Sequence, residues 1–130
     1  MHAARGIAIL GAAYALVGCG ATPQDEVHAK VEQFAHATAR RDYVALCDEV
    51  LAPTLIQRLT NAGVSCHQAM KLFVQSVENP TLIVSRISVR GHSASATVRA
   101  SATGQPEAQE SIELVQTRHG WRLTSLASPR

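Results

Sequence analysis

Residues 65–100, SCHQAMKLFVQSVENPTLIVSRISVRGHSASATVRA, contain the point at which the chain changes its repeat. Ser65 and Gln68 form a capping box, the pattern that opens a helix. Cys66, Ala69, Met70, Phe73, Val74 and Val77 then recur at helical spacing. Asn79-Pro80 ends the helix, because proline has no N–H to donate and its ring collides with the preceding turn. Beyond Pro80 the period falls to two. Residues 82–90 read as a strand with Ile83, Ile87 and Val89 on one face and Ser85 between them. After a turn at Gly91, Ala94, Ala96, Val98 and Ala100 alternate with Ser93, Ser95, Thr97 and Arg99.

Both patterns extend outward. Upstream, Thr22 is placed to cap a helix with Pro23 at its first position and Asp25 and Glu26 at its positive end. Val27, Val31, Phe34, Ala35 and Thr38 follow its inner face as far as Arg40-Arg41. Asp42 caps a short second helix whose inner residues are Tyr43, Leu46, Cys47 and Val50, and a third carries Leu55, Ile56 and Leu59. Downstream, Ile112 and Leu114 lead a third strand. His119-Gly120 turns the chain, and Trp121 and Leu123 begin a fourth. Helices followed by a strand meander predict an α+β domain in which N-terminal helices pack on an antiparallel sheet.

The length of 130 residues predicts one domain. A 46% apolar composition is that of a folded chain. The net charge of +2 and the 4% aromatic content give neither the basic face nor the stacking platform that nucleic-acid binding requires, so no nucleic-acid partner is expected.

At the N-terminus, Arg5 precedes an apolar run over residues 6–18 that is too short to span a bilayer, for which about 20 residues are needed. Its last residues, Leu16-Val17-Gly18 followed by Cys19, resemble the bacterial lipobox. The resemblance implies that the chain is exported, that Cys19 receives a diacylglyceryl group, and that the bond before it is cut. The expected organisation is a signal peptide over 1–18, a lipidated tether over 19–24 and one domain over 25–130. The protein would then be held by its lipid on the extracytoplasmic face of a membrane. The tether reaches no further than about 18 Å at full extension. Of the three cysteines, lipidation of Cys19 would leave Cys47 and Cys66 together in an oxidising compartment. A structural disulfide and a redox pair are the two readings; the absence of a Cys-x-x-Cys motif favours the first.

The order of elements resembles the cone-shaped superfamily that includes nuclear transport factor 2, the SnoaL-like cyclases and ketosteroid isomerase. Three stretches carry the likeness: Ala39-Arg40-Arg41-Asp42-Tyr43 at the end of the first helix, the hairpin-rich C-terminal half, and the closing His119-Gly120-Trp121-Arg122-Leu123. It resembles in particular exported actinobacterial lipoproteins of that superfamily, which carry a helical cysteine pair like Cys47 and Cys66. The resemblance implies a curved sheet wrapped round a helix, often with an apolar pocket inside. It implies no particular activity.

Several clusters bear on function. His28 and His36 have no partners at ligand spacing, so neither a metal site nor any cofactor is expected. Enzymes of the superfamily place an Asp or His inside the cone. Here Asp42 is explained as a cap, Asp48 lies on a charged face, and the strands carry no inward Asp, so no catalytic residue is assigned. Phe34, Met70, Phe73 and Trp121 are the candidate ligand-binding residues, with Ala94, Ala96 and Ala100 leaving room beside them. Arg86, Arg90, Arg99 and Arg122 share the opposite face by parity, where solvation or contact with an anionic surface is expected. The leading expectation is a non-catalytic envelope lipoprotein that binds a partner protein or a small apolar ligand. A superfamily isomerase, dehydratase or hydrolase and a structural accessory of an envelope complex are the alternatives.

Overall fold

The structure is a computed structural model that describes residues 20–126. The expected signal segment and Cys19 lie outside the described residues.

Helix α1, Pro23–Arg40, starts with a full capping box. Thr22 Oγ1 accepts from the Asp25 N–H at 3.2 Å, and Asp25 Oδ2 accepts from the Thr22 N–H at 3.2 Å. Its buried stripe is Val27, Val31, Phe34, Ala37 and Thr38. Ala37 belongs to the core, whereas Ala35 is only half-buried. The helix ends at Arg41, which takes the left-handed conformation at φ 56° that glycine usually occupies.

Asp42 Oδ1 caps helix α2, Tyr43–Ala45, at the Ala45 N–H. The helix then widens into a π-helical turn, Leu46–Val50, closed by the Leu51 N–H donating to the Leu46 carbonyl at 2.9 Å. That turn carries Leu46, Cys47 and Val50 into the core. Helix α3, Pro53–Asn61, has proline in its first turn. Helix α4, Cys66–Gln75, opens with the Ser65–Gln68 box. A disulfide joins Cys47 to Cys66, with their Cα atoms 6.0 Å apart, and ties the π-turn to the start of α4.

Strands β1, Thr81–Arg90, β2, Ser93–Ala102, β3, Gln105–Thr117, and β4, Gly120–Leu123, form one antiparallel meander in sequence order. Helix α1 lies against β1, β2 and β4. One expectation is corrected in β1. Val84 pairs with Val98 and Arg86 with Thr97, so Ser85 is an extra residue in a bulge. The bulge reverses the parity. Leu82 and Val84 face the helices before it, Ile87 and Val89 after it, and Ile83 stands 62% exposed on the outer face. The Ser85 hydroxyl donates to the Thr97 carbonyl at 3.1 Å, the neighbour it would otherwise oppose.

Candidate functional site

The inward row of β2 is made of small residues. Ala94 and Ala96 are buried beneath the helices, but Ala100 is not, because α4 stops at Gln75 and the chain turns away through Pro80. A cavity of about 220 Å³ remains there. Phe34, Ala35 and Thr38 from the last turns of α1 form one wall, and Phe73 and Val77 form the second. Leu82 of β1, Ala100 and Ala102 of β2, and Ala108 and Glu110 of β3 form the floor. The rings of Phe34 and Phe73 lie 6.4 Å apart and tilted, within the range of a favourable aromatic pair. A wider hollow of about 560 Å³ adjoins it, sharing Thr38, Val77, Pro80 and Thr81 and adding Arg41 and Asn79. These last two are the only non-glycine residues with positive φ among the described residues, at 56° and 48°.

Two polar atoms in the cavity's walls are buried without a hydrogen-bond partner among the described residues: Thr38 Oγ1 and Glu110 Oε2. Glu110 pairs with Val98 across the sheet, and the next inward residues of β3 are Ile112 and Leu114. It is an inward carboxylate in an apolar row. The strands carry no inward Asp, but they carry this inward Glu, which the sequence analysis does not include. Its signal was present: counting back by two from Leu114 and Ile112 reaches Glu110.

No family model matches the sequence, and no curated protein matches it either. Solved structures do resemble it. A proposed dehydratase of the nuclear transport factor 2-like family from Streptomyces avermitilis is 21% identical with a TM-score of 0.56, over 82% of this chain and 95% of that one. A nuclear transport factor 2-like protein of unknown function from Silicibacter pomeroyi is 18% identical with a TM-score of 0.56, over 77% and 88%. A de novo designed protein of the same fold is 13% identical with a TM-score of 0.52, over 85% and 90%. This chain has the nuclear transport factor 2-like fold.

Within the nuclear transport factor 2-like cone, the four candidate ligand residues separate. Phe34 and Phe73 line the cavity. Met70 and Trp121 do not; at 2% and 3% exposure they are core residues, and Trp121 Nε1 has no partner among the described residues. Asp42 is the cap described above, and Asp48 is exposed. His28 lies 3.7 Å from Glu32 one turn on, and His36 is exposed. Among the described residues no three His, Cys, Asp or Glu side chains gather as a ligand set. Arg86 and Arg90 are exposed, but Arg99 Nε lies 3.7 Å from Glu107, and Arg122 Nη1 donates to the Asp48 carbonyl at 2.7 Å. The basic face is therefore smaller than parity implied.

Arg122 belongs instead to a polar cluster at the end of the π-turn. Lys30 Nζ donates to Gln33 Oε1 at 2.8 Å and to the Glu49 carbonyl at 2.9 Å, and Gln33 Nε2 donates to Glu49 Oε2 at 2.8 Å. Two cations thus meet the terminal carbonyls of the turn, as a helix C-terminus favours. Burial, and then the Arg122 charge, lower the Lys30 pKa; Glu49 opposes them.

Proposed function

We propose that this protein is a lipid-anchored, extracytoplasmic binding protein whose cone holds a small, mostly apolar molecule. The observation that carries the reading is the open cavity between Phe34, Phe73 and the alanine floor of the sheet. Ligand sites are concave and predominantly apolar with a few placed polar groups, which describes this one. An engineered cavity of about 150 Å³ lined by apolar side chains holds benzene. A space near 220 Å³ therefore suits a one- or two-ring compound or a short acyl chain.

The anchor rests on Leu16-Val17-Gly18-Cys19, and a disulfide between Cys47 and Cys66 suits an exported protein. No helix among the described residues is long and apolar enough to cross a membrane. Membrane fractionation tests the anchor: Cys19→Ala should release the protein, and retention equal to wild type would contradict lipidation. Co-purification tests the binding. Denaturing the full-length protein should release an apolar compound that the cavity-filling variant Ala100→Leu does not carry. Equal recovery from both would count against the cavity.

Catalysis by proton transfer is a second reading, favoured by Glu110 and by the likeness to a proposed dehydratase. Among the described residues, Glu110 is the single titratable side chain in the cavity wall. Dehydration removes one proton and protonates a departing oxygen, and one carboxyl would have to serve both steps. A ligand recovered chemically unchanged after incubation supports binding; a dehydrated or isomerised product supports the enzyme.

A further inference from the structure

The chemistry of the cavity wall restricts what it accepts. Glu110 stands in the inward row of β3 between Ala108 and Ile112, opposite the fully buried Val98. Among the described residues no side chain or backbone group donates to its Oε2. The other polar side chains of the wall do not satisfy it: the Thr81 and Ser101 hydroxyls bond to each other, the Gln105 amide makes no bond to it among the described residues, and Thr38 Oγ1 is itself without a partner there. A carboxylate has only acceptor capacity. The Thr38 hydroxyl and the Gln105 amide can each give or take a hydrogen bond, so neither discriminates. The selective group is Glu110.

We propose that the cavity selects apolar molecules carrying a hydrogen-bond donor, a hydroxyl or a protonated amine, at the end that meets Glu110. This rests on the binding reading above. A donor fills the vacant acceptor. A ketone or ether places acceptor against acceptor and leaves Glu110 unsatisfied. A carboxylate or phosphate sets like charges together in an apolar wall, which disfavours both. Fatty acids and other acidic amphiphiles are therefore excluded, whereas neutral alcohols and phenols and protonated amines of the same size are admitted. A hydrogen bond to a charged group separates donor from non-donor by about tenfold or more.

A matched series with one apolar body tests this: 2-naphthol, 2-(aminomethyl)naphthalene, 2-methoxynaphthalene and 2-naphthoate, titrated calorimetrically into the full-length protein and into Glu110→Gln. Wild type should bind the two donors about tenfold or more above the ether, with the anion weakest. Glu110→Gln should bring naphthol and the ether together and admit the anion, because an amide both donates and accepts and carries no charge. Glu110→Leu provides a second variant, expected to take the neutral members without preference. An unchanged order of affinities in both variants, or wild-type binding of naphthoate as tight as naphthol, overturns the donor rule while leaving the cavity reading intact. Failure of every member to bind wild type overturns the cavity reading, and the donor rule with it.

Discussion

Glu110 occupies a position where its cross-strand neighbour Val98 and the inward residues that follow it, Ile112 and Leu114, are apolar. Leaving a buried acceptor unsatisfied costs about 1–3 kcal/mol. Glu110→Leu should therefore raise stability by about 1 kcal/mol or more, read as a higher urea midpoint with an unchanged slope. A lower midpoint would mean that the carboxyl has a stabilising partner in the folded protein. Lys30 makes a separate residue-scale test. Its folded pKa lies below the ordinary value of 10.5, so across the window between the two the unfolded chain binds more protons than the native one. Stability contributed by this group then rises with pH as 10.5 is approached from below. Unfolding midpoints measured at increasing alkaline pH should show that rise in wild type and less of it in Lys30→Met. Identical slopes would remove Lys30 as the cause. Neither residue was identified from sequence. The lysine's environment depends on burial and on Arg122, both set by parts of the chain remote in sequence, and Glu110 lies one inward step before Ile112, where the apolar alternation of β3 begins.

The helices were the most legible elements, because their signals are local. Thr22 with Asp25 and Ser65 with Gln68 lie three residues apart, and both pairs form the expected bonds. The strand β1 was legible as a strand but not in its facing. The bulge at Ser85 follows from how β1 pairs with β2, and a period-two count along one strand does not contain that information. The outcome reverses the burial of two adjacent residues. Ile83→Ser should change stability by no more than about 0.5 kcal/mol, whereas Val84→Ser, which places a hydroxyl on the inner face, should cost about 1–2 kcal/mol. Thermal unfolding of the two variants compares them directly. A greater loss from Ile83→Ser would place the register one residue away. The π-turn at Leu46–Val50 likewise gave no separate sequence signal; its inner residues Leu46, Cys47 and Val50 were assigned correctly from ordinary helical spacing.

For the molecule as a whole, the change from helical to period-two patterning implies helices on an antiparallel meander, which the structure has, and the solved structures it resembles share that fold. The disulfide connects two elements that are separate in the chain. Both cysteines are nearly inaccessible, at 6% and 9% exposure, which suits a structural bond better than redox exchange. Closing a loop of this length is worth about 3 kcal/mol in chain entropy. The double variant Cys47→Ala with Cys66→Ala should lose about that much in urea unfolding, and an unchanged midpoint would show that the bond contributes nothing to the fold. The cavity itself was only partly legible. Phe34, Phe73 and the small residues of β2 were recognisable, but which alanine stays uncovered depends on where α4 stops over the sheet. Met70 and Trp121 have the same composition-level signal as Phe34 and Phe73, yet they pack into the core.

A small apolar ligand is expected to enter that cavity. Titration of methyl-labelled protein with 2-naphthol, followed by proton–carbon correlation spectra, tests it most directly. Saturable shifts are expected in the methyl groups of Val77, Leu82, Ala100 and Ala108, which line the cavity, and none in those of Val27, Leu46 and Leu123, which fill the core. Shifts that fail to saturate, or that fall on the core or outer sheet face while the cavity methyls stay still, would contradict it.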